Sequence, residues 1–224
     1  MFNAIATARA EIDPTASLKG SLTSPVAIPR ATLTKMEDFA KLVRAIWTYD
    51  GGPTTRAGLQ LLALLYPRPG ELRQARWAEF NLGEALWVIP KERTKMRREH
   101  CKPLSSPAVT ILTELGSLTG FSQFVFPAIH SPERSISENT LNLSLRRIGF
   151  TKDEATAHGF RASVSSLLNE SGKWSPDAIE AELGHVSADG VRRAYHRADY
   201  WDQRVQMTNW WADMLHELQS GTTQ

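Results

Sequence analysis

The chain has 224 residues, of which 42% are hydrophobic, and its formal net charge is +2. This length suits one large domain, or one domain with an appendage, and the apolar fraction is enough for a real core. The near-neutral charge permits a nucleic-acid partner without requiring one. A single cysteine, Cys101, excludes an intrachain disulfide framework and is typical of a reducing compartment.

The distribution of charge along the chain excludes two further classes of protein. Charged residues follow Met1 too closely to leave room for the apolar region of a signal peptide. The longest apolar run lies near Leu59–Tyr66 and is much too short to cross a bilayer. We therefore expect a soluble, cytoplasmic protein with no membrane partner.

The first part of the chain differs in composition from the rest. Pro14, Pro25 and Pro29 are separated by Ser, Gly and Thr residues, which is typical of a linker. A compact domain is expected to begin at Thr32. The chain therefore divides into an appendage with a linker at 1–31 and a domain at 32–224.

Helical periodicity dominates the start of the domain. Thr34–Glu37 has the pattern of a capping box, which predicts a helix with Thr34 as its N-cap. Thr54 or Thr55 opens a second, more apolar helix, which we expect to be central. Pro69 suits the first position of a third helix, so that helix would begin directly beside Arg68.

A short β-hairpin then interrupts the helices. Ala85–Pro90 is predicted to be a strand, His100–Ser105 its antiparallel partner, and Lys91–Glu99 the polar tip between them. The helical pattern returns in segments near 109–115, 137–149, 160–168, 175–184 and 200–218. The predicted fold class is mainly α with a small antiparallel β-sheet.

A scattered set of side chains could meet at one phosphate. Two arginines can grip a phosphodiester, a lysine can protonate a leaving oxygen, a tyrosine can attack phosphorus and a histidine can take its proton. The candidates, in chain order, are Arg68, Lys95, His158, Arg161, His185 and Tyr195. The sequence contains neither a Gly-rich phosphate loop nor a carboxylate metal cluster, so the combination points to DNA strand transfer without a metal or a cofactor.

The local context of these residues supports a shared anion site. His158 and Arg161 are three residues apart at the predicted start of a helix, so they share a face near its free amide groups. His185 directly follows Gly184 at a predicted helix end, where its side chain can project into a cleft. Taken singly, each residue type is more often structural, and the interpretation depends on their co-occurrence.

Two of the assignments leave alternatives at this stage. Tyr195 lies in a basic segment that suits the approach of a polyanion, but Tyr200 lies five residues further on. The lysine could be Lys91, Lys95 or Lys102, because all three lie in or beside the predicted hairpin.

The order of these residues resembles that of the tyrosine recombinases, specifically the phage and genomic-island integrases. Arg68–Leu72 looks like the first-arginine box of that family, and His158–Arg161 looks like the second box. Leu183–His185 followed by Tyr195 looks like the third. The Trp-rich stretch Asn209–Asp213 resembles the C-terminal helix of a subgroup often found beside transfer RNA genes. The likeness covers roughly residues 32 to 224.

The resemblance also selects between the alternatives. Family members place the lysine in the turn between two strands, several residues before a Pro-Leu pair, which favours Lys95 and leaves Lys91 second. The spacing of ten residues after His185 favours Tyr195 over Tyr200.

By the same resemblance, Tyr195 is the nucleophile, His158 accepts its proton with His185 assisting, and Lys95 protonates the leaving oxygen. Arg68 and Arg161 neutralise the phosphate. Further phosphate contacts are expected from exposed basic residues, namely Arg93, Arg97, Arg98, Arg146, Arg147, Arg192 and Arg193.

The resemblance implies several partners and a setting. These are double-stranded DNA carrying an attachment site, a tetramer on DNA from a protein that is a monomer alone, and an accessory protein for excision. The protein would be bacterial or phage-encoded and associated with the nucleoid.

Full integrases carry an arm-site domain and a core-site domain before the catalytic domain, and residues 2–13 resemble only the last helix of the core-site domain. Residues 1–31 are thus interpreted as a remnant of that domain plus a linker. Two alternative functions stay open: a non-catalytic DNA-binding or oligomerisation remnant, and an enzyme of the type IB topoisomerase kind that nicks and reseals DNA.

Overall fold

The computed structural model describes residues 31–185 and 200–221, which form a mainly helical domain with two small antiparallel sheets. In chain order the helices are α1 (Met36–Trp47), α2 (Pro53–Leu65), α3 (Pro69–Arg73), α4 (Ser106–Thr119), α5 (Thr140–Arg147), α6 (Gly159–Glu170), α7 (Pro176–Glu182) and α8 (Trp201–Ser220). The strands are β1 (Phe80–Asn81), β2 (Leu86–Ile89), β3 (His100–Pro103), β4 (Pro127–Ala128) and β5 (Ser131–Ser135). Within these residues no helix is long and apolar enough to span a membrane.

Helix α2 is the centre of the domain, as its apolar sequence predicts. Its second half is buried on every side, including Leu59, Leu61 and Leu64. It packs against α1, α4, α5 and α8. A helix that is apolar all round must be covered on all faces, so the other helices collect around it.

Trp211 packs the C-terminal helix α8 against this core. The indole Nε1 donates a 2.8 Å hydrogen bond to the carbonyl oxygen of Ala63 in α2. Its ring lies 5.5 Å from the ring of Phe39 in α1 and 6.4 Å from that of Tyr66, measured between centroids. Because Trp211 touches both α1 and α2, it links the final helix to two elements of the core.

The predicted β-hairpin is confirmed, and it gains a third strand. The sheet order is β1-β2-β3, with Trp87 opposite Lys102 and Ile89 opposite His100. The second sheet, β4 with β5, was not predicted. Strand β5 is polar and largely exposed, so it lacks the alternation of apolar and polar residues that identifies a strand from sequence.

The main differences from the predictions concern helix starts. The proposed capping box is wrong, because Lys35 is the N-cap of α1 and makes no side-chain cap bond. Helix α2 begins at Pro53, just before the two threonines, because proline suits a first helical turn. Helix α3 does begin at Pro69 with Arg68 as its N-cap. Such errors arise because burial of the apolar face, rather than the cap, decides where α1 starts.

We expect Trp211→Ala to lower the free energy of unfolding by about 3–5 kcal/mol, because it removes a fully buried aromatic ring and a buried hydrogen bond. Urea unfolding followed by circular dichroism measures the loss. The neighbouring Trp210 is only partly buried, so Trp210→Ala is the matched control and should lose less. Equal losses in the two variants would contradict the packing described here.

Candidate active site

Arg68 is held rigidly at the start of α3. Its backbone N–H donates to Glu71 Oε2 at 3.1 Å, and its guanidinium Nη1 donates to Glu71 Oε1 at 2.8 Å. The side chain of Glu71 is almost fully buried. Glu71 therefore fixes both the backbone and the charged group of Arg68.

Arg161 converges on the same place from α6. Arg161 is 7% exposed, and its guanidinium donates to the carbonyl oxygens of Leu183 and Tyr66, the latter at 3.5 Å. Arg68 Nη2 donates to the carbonyl oxygen of the next residue, Gly184, at 3.4 Å. The structure thus brings together two arginines that are distant in sequence.

The closeness of these two cations has an electrostatic consequence. Burial, followed by repulsion from Arg68, lowers the pKa of Arg161 to about 10. At this pKa Arg161 is still protonated at neutral pH, so its positive charge is kept although that of Arg68 acts against it. Such an arrangement favours the binding of an anion, and perturbed charge pairs of this kind are concentrated at functional sites.

An open cleft of about 830 Å³ lies beside Arg68, whereas Arg161 and His185 are not among its lining residues. Arg68, Lys95 and His158 all line it. His158 is the N-cap of α6 and is exposed, and Lys95 is exposed at the β2–β3 tip. Three of the predicted site residues, from three separate elements, therefore face one space large enough for a piece of nucleic-acid backbone.

The three candidate lysines have different surroundings. Lys102 is fully buried, is paired with the carboxylate of Glu182, and lies 4.9 Å from the ring centroid of Tyr66. Lys91 is exposed but does not line the cleft. This geometry favours Lys95, although its role stays a prediction.

His185 lies where α7 ends, as predicted. Gly184 adopts a φ of +61°, and the N–H of His185 donates to the carbonyl oxygen of Glu180 at 2.9 Å, which is the Schellman way of ending a helix. The His185 Nδ1 lies 2.6 Å from Glu180 Oε2. A Cβ on Gly184 would also lie 2.9 Å from the ring of His100. Glycine is therefore required for two reasons, the positive φ and the lack of space for a side chain.

The predicted nucleophile lies outside the described residues, together with Arg192 and Arg193. The alternative nucleophile, Tyr200, lies within the described residues. It is the N-cap of α8, has a left-handed φ of 48° and is partly buried.

A buried charged cluster, centred on the residue before Leu183, was not predicted from the sequence. The Glu182 carboxylate lies between Lys102 Nζ and Arg204 Nε, the latter at 2.7 Å. Arg204 also donates to the carbonyl oxygen of Cys101 in β3. These charged side chains are at most 2% exposed. The sequence did contain a signal for this cluster. Arg204 lies at helical spacing from the buried Met207 and Thr208, and a charged side chain on a buried helix face needs a partner of opposite charge.

The predicted phosphate contacts divide into two groups. Arg97, Arg98 and Arg147 are exposed, as that role requires. Arg93 lines the cleft but does not fit this role, because its guanidinium is engaged with Glu79 and with backbone carbonyls. Arg146 is likewise occupied by the carbonyl oxygens of Asn142 and Ala155.

Most of this chain is similar in sequence to known proteins. The Phage integrase family model matches residues 34–201. The integrase of Enterobacteria phage P4 is 37% identical over 217 residues, which covers 91% of this chain and 49% of the phage protein. Prophage integrase IntA of Escherichia coli (strain K12) is 38% identical over 186 residues, which covers 83% of this chain and 45% of that protein.

Solved structures share the fold at low sequence identity. The integrase from mycobacterium phage Brujita matches with a TM-score of 0.60 at 17% identity, covering 100% of this chain and 69% of that chain. The lambda integrase catalytic core matches with a TM-score of 0.52 at 18% identity, covering 70% of this chain and 96% of that chain.

The fold is therefore that of a tyrosine recombinase catalytic domain. The chain belongs to the phage integrase family, as the resemblance of its short boxes predicted. It spans about half the length of the curated relatives it matches.

The buried cluster predicts a dependence of stability on pH. Burial, with the nearby charges of Lys102 and Arg204, lowers the pKa of His100 from 6.5 to about 2. Below pH ~6.5 the unfolded chain takes up a proton at His100 that the folded chain does not, so stability falls as the pH falls. From this residue we expect a loss of about 2 kcal/mol between about pH 7 and pH 5.

Urea unfolding at both pH values measures this loss. The variant His100→Gln should flatten the dependence, whereas His130→Gln, at an exposed position, should leave it unchanged. A His100→Gln variant that loses as much stability as the wild-type protein would contradict the assignment.

Proposed function

We propose that this chain is the catalytic domain of a site-specific DNA recombinase that cleaves and rejoins strands through a 3′-phosphotyrosine during integration or excision of a mobile element. One observation supports this most directly. Arg68 and Arg161 converge on Leu183–Gly184, and Arg68 also lines a cleft whose walls carry Lys95 and His158. Membership of the phage integrase family supports the same reaction.

The chemistry requires a base for the nucleophile. A tyrosine with a pKa near 10 is only ~0.1% ionised at neutral pH, so ionisation costs about 4 kcal/mol. In the proposed reaction His158 accepts the proton of Tyr195, with His185 assisting, and the tyrosine oxygen attacks the scissile phosphorus. Arg68 and Arg161 stabilise the charge on the non-bridging oxygens, by ~3 kcal/mol for each donor.

Lys95 completes the step by protonating the departing 5′-oxygen. The P–O5′ bond breaks as the P–O(tyrosine) bond forms, so the DNA is left with a free 5′-hydroxyl. The 5′-hydroxyl of a partner strand then attacks the phosphotyrosine and releases the tyrosine. One ester replaces another at each step, so the reaction needs no ATP, and the proposal gives no role to a metal or a cofactor.

The proposed partner is double-stranded DNA carrying an attachment site. Exposed arginines such as Arg97, Arg98 and Arg147 would contact phosphates, so binding should weaken steeply with salt. Lambda integrase has been solved as a dimer on a core site and as a tetramer on a Holliday junction. By analogy we propose a tetramer on DNA, assisted during excision by an accessory protein, acting on the bacterial nucleoid.

The proposed domain division follows from the same comparison. Residues 32–224 would be the catalytic domain, and 1–31 would be a linker with the last part of a core-site domain. The extra length of the relatives is consistent with further DNA-binding parts outside the catalytic domain.

The nucleophile can be tested without knowing the attachment site in advance. Duplexes with a randomised centre and a nick release a short 5′-hydroxyl fragment after cleavage, which traps the covalent intermediate. Adducts stable to detergent are then recovered and sequenced. Tyr195→Phe should abolish these adducts and leave DNA binding unchanged, because only the attacking oxygen is removed.

Tyr200→Phe is the matched control and should form adducts at the wild-type rate. Adducts that survive Tyr195→Phe and vanish with Tyr200→Phe would reverse the assignment. A wild-type protein that forms no adducts would indicate a non-catalytic remnant. Relaxation of supercoiled DNA without strand exchange between two duplexes would indicate the topoisomerase-like alternative.

The role of Lys95 has a distinct chemical signature. Sulfur at the 5′-bridging position leaves without protonation, so Lys95→Ala should cleave a phosphorothiolate duplex far faster than normal DNA. On normal DNA the loss should be about 100-fold or more. Single-turnover cleavage rates on the two substrates measure the ratio. Equal losses on both would remove Lys95 from this role and point to Lys91.

A further inference from the structure

We infer that Arg93 is a positioning residue, which holds the general acid Lys95 at a set distance from the phosphate-binding Arg68. The inference rests on the proposed function. It assigns Arg93 a task inside the protein, in place of the DNA contact that its basic surroundings suggested.

The first observation is the way in which the Arg93 side chain is held. Nη1 donates to the carbonyl oxygen of Gln74 at 2.6 Å and to the carboxylate of Glu79, and Nη2 donates to the carbonyl oxygen of Glu71. The side chain is only 13% exposed. Arg93 lines the cleft, but three of its five N–H groups are bound to protein acceptors and its Nε is buried, which leaves one N–H of Nη2 for a phosphate. The fork geometry of the group also fixes its orientation.

The second observation is the identity of one acceptor. Glu71 uses its carboxylate to hold the guanidinium and the backbone N–H of Arg68, and it uses its backbone carbonyl to hold Arg93. Arg93 lies two residues before Lys95. A single residue, Glu71, therefore links the arginine that would bind the phosphate to the loop that carries the acid.

The third observation is that Glu79, which accepts from Arg93, and Thr94, which follows Arg93, are both held in place. The other oxygen of Glu79 accepts a 3.0 Å hydrogen bond from Nε1 of Trp87, which is fully buried in β2. On the far side of Arg93, Thr94 is 7% exposed, and its Oγ1 accepts from the N–H of Arg98 at 3.0 Å. The tip is thus closed on itself, so Lys95 is an exposed side chain on an anchored loop.

This arrangement has a direct consequence for catalysis. A general acid acts only when it lies within hydrogen-bonding distance of the leaving oxygen, and a displacement of about 1 Å can cost about 100-fold in rate. Without Arg93 the tip would keep its residues and lose its connection to α3. Lys95 would then be present and charged, but no longer held beside Arg68.

The test uses the site obtained by adduct selection and two substrates, normal DNA and the 5′-bridging phosphorothiolate. Arg93→Lys keeps the charge, but its single ammonium nitrogen cannot occupy the positions of both Nη1 and Nη2. We expect single-turnover cleavage of normal DNA to fall about 100-fold in this variant. Cleavage of the phosphorothiolate should remain close to the wild-type rate, because that substrate does not need Lys95.

Glu92→Gln is the matched control, since Glu92 is the exposed neighbour of Arg93 on the same tip. It should leave both rates unchanged. Hydrogen exchange of the amides from Thr94 to Arg98 gives a readout independent of activity, and these amides should exchange faster in Arg93→Lys while the melting temperature changes little.

Several outcomes would overturn the inference. Equal losses on both substrates would mean that Arg93 supports the fold or the phosphate site in general. Weaker DNA binding with unchanged cleavage rates would mean that Arg93 is a phosphate contact after all. Failure of the wild-type protein to form adducts would overturn the proposed function as well. If the wild-type protein is active but Arg93→Lys cleaves the phosphorothiolate as poorly as normal DNA, only this inference is overturned.

Discussion

The Glu182 carboxylate lies between two fully buried cations, Lys102 of β3 and Arg204 of α8, and the geometry of the site depends on it. Removing one member of such a group leaves an uncompensated charge in the interior, which typically costs 3–5 kcal/mol. Lys102 Nζ also donates to the backbone carbonyl of Glu182 at 3.0 Å. The end of α7 is therefore tied to the sheet and to the final helix at one point.

The residues that follow this point are those that hold the two arginines. The carbonyl oxygens of Leu183 and Gly184 accept hydrogen bonds from Arg161 and Arg68 respectively. The positions of both guanidinium groups are thus set by the place where α7 ends, and α7 ends where Glu182 holds it. Repulsion between the arginines is offset in part by nearby carboxylates, because Glu71 pairs with Arg68 and the charges of Glu71 and Glu182 act to raise the pKa of Arg161.

Basic residues in this domain have two kinds of task, which burial separates. Arg97, Arg98 and Arg147 face the solvent and are available to a polyanion. Arg93 and Arg204 are largely buried, and each guanidinium holds at least one backbone carbonyl as well as a carboxylate. Arginine suits the inward task because its planar fork can serve several acceptors at once while it stays charged.

The sequence by itself determined the fold class, the central place of α2, the hairpin, and the start of α3 at Pro69 beside Arg68, because these depend on local periodicity and on the conformational limits of proline. It also identified the candidate site residues, since their order along the chain is typical of one family. Only the tertiary structure decided which of the lysines faces the cleft, that the Arg93 guanidinium is bound to protein acceptors, and that Glu182 joins Lys102 to Arg204. Those facts depend on contacts between residues far apart in the chain, such as Lys102 and Glu182, and a pattern of local spacing carries no information about which distant side chains will share one desolvated space.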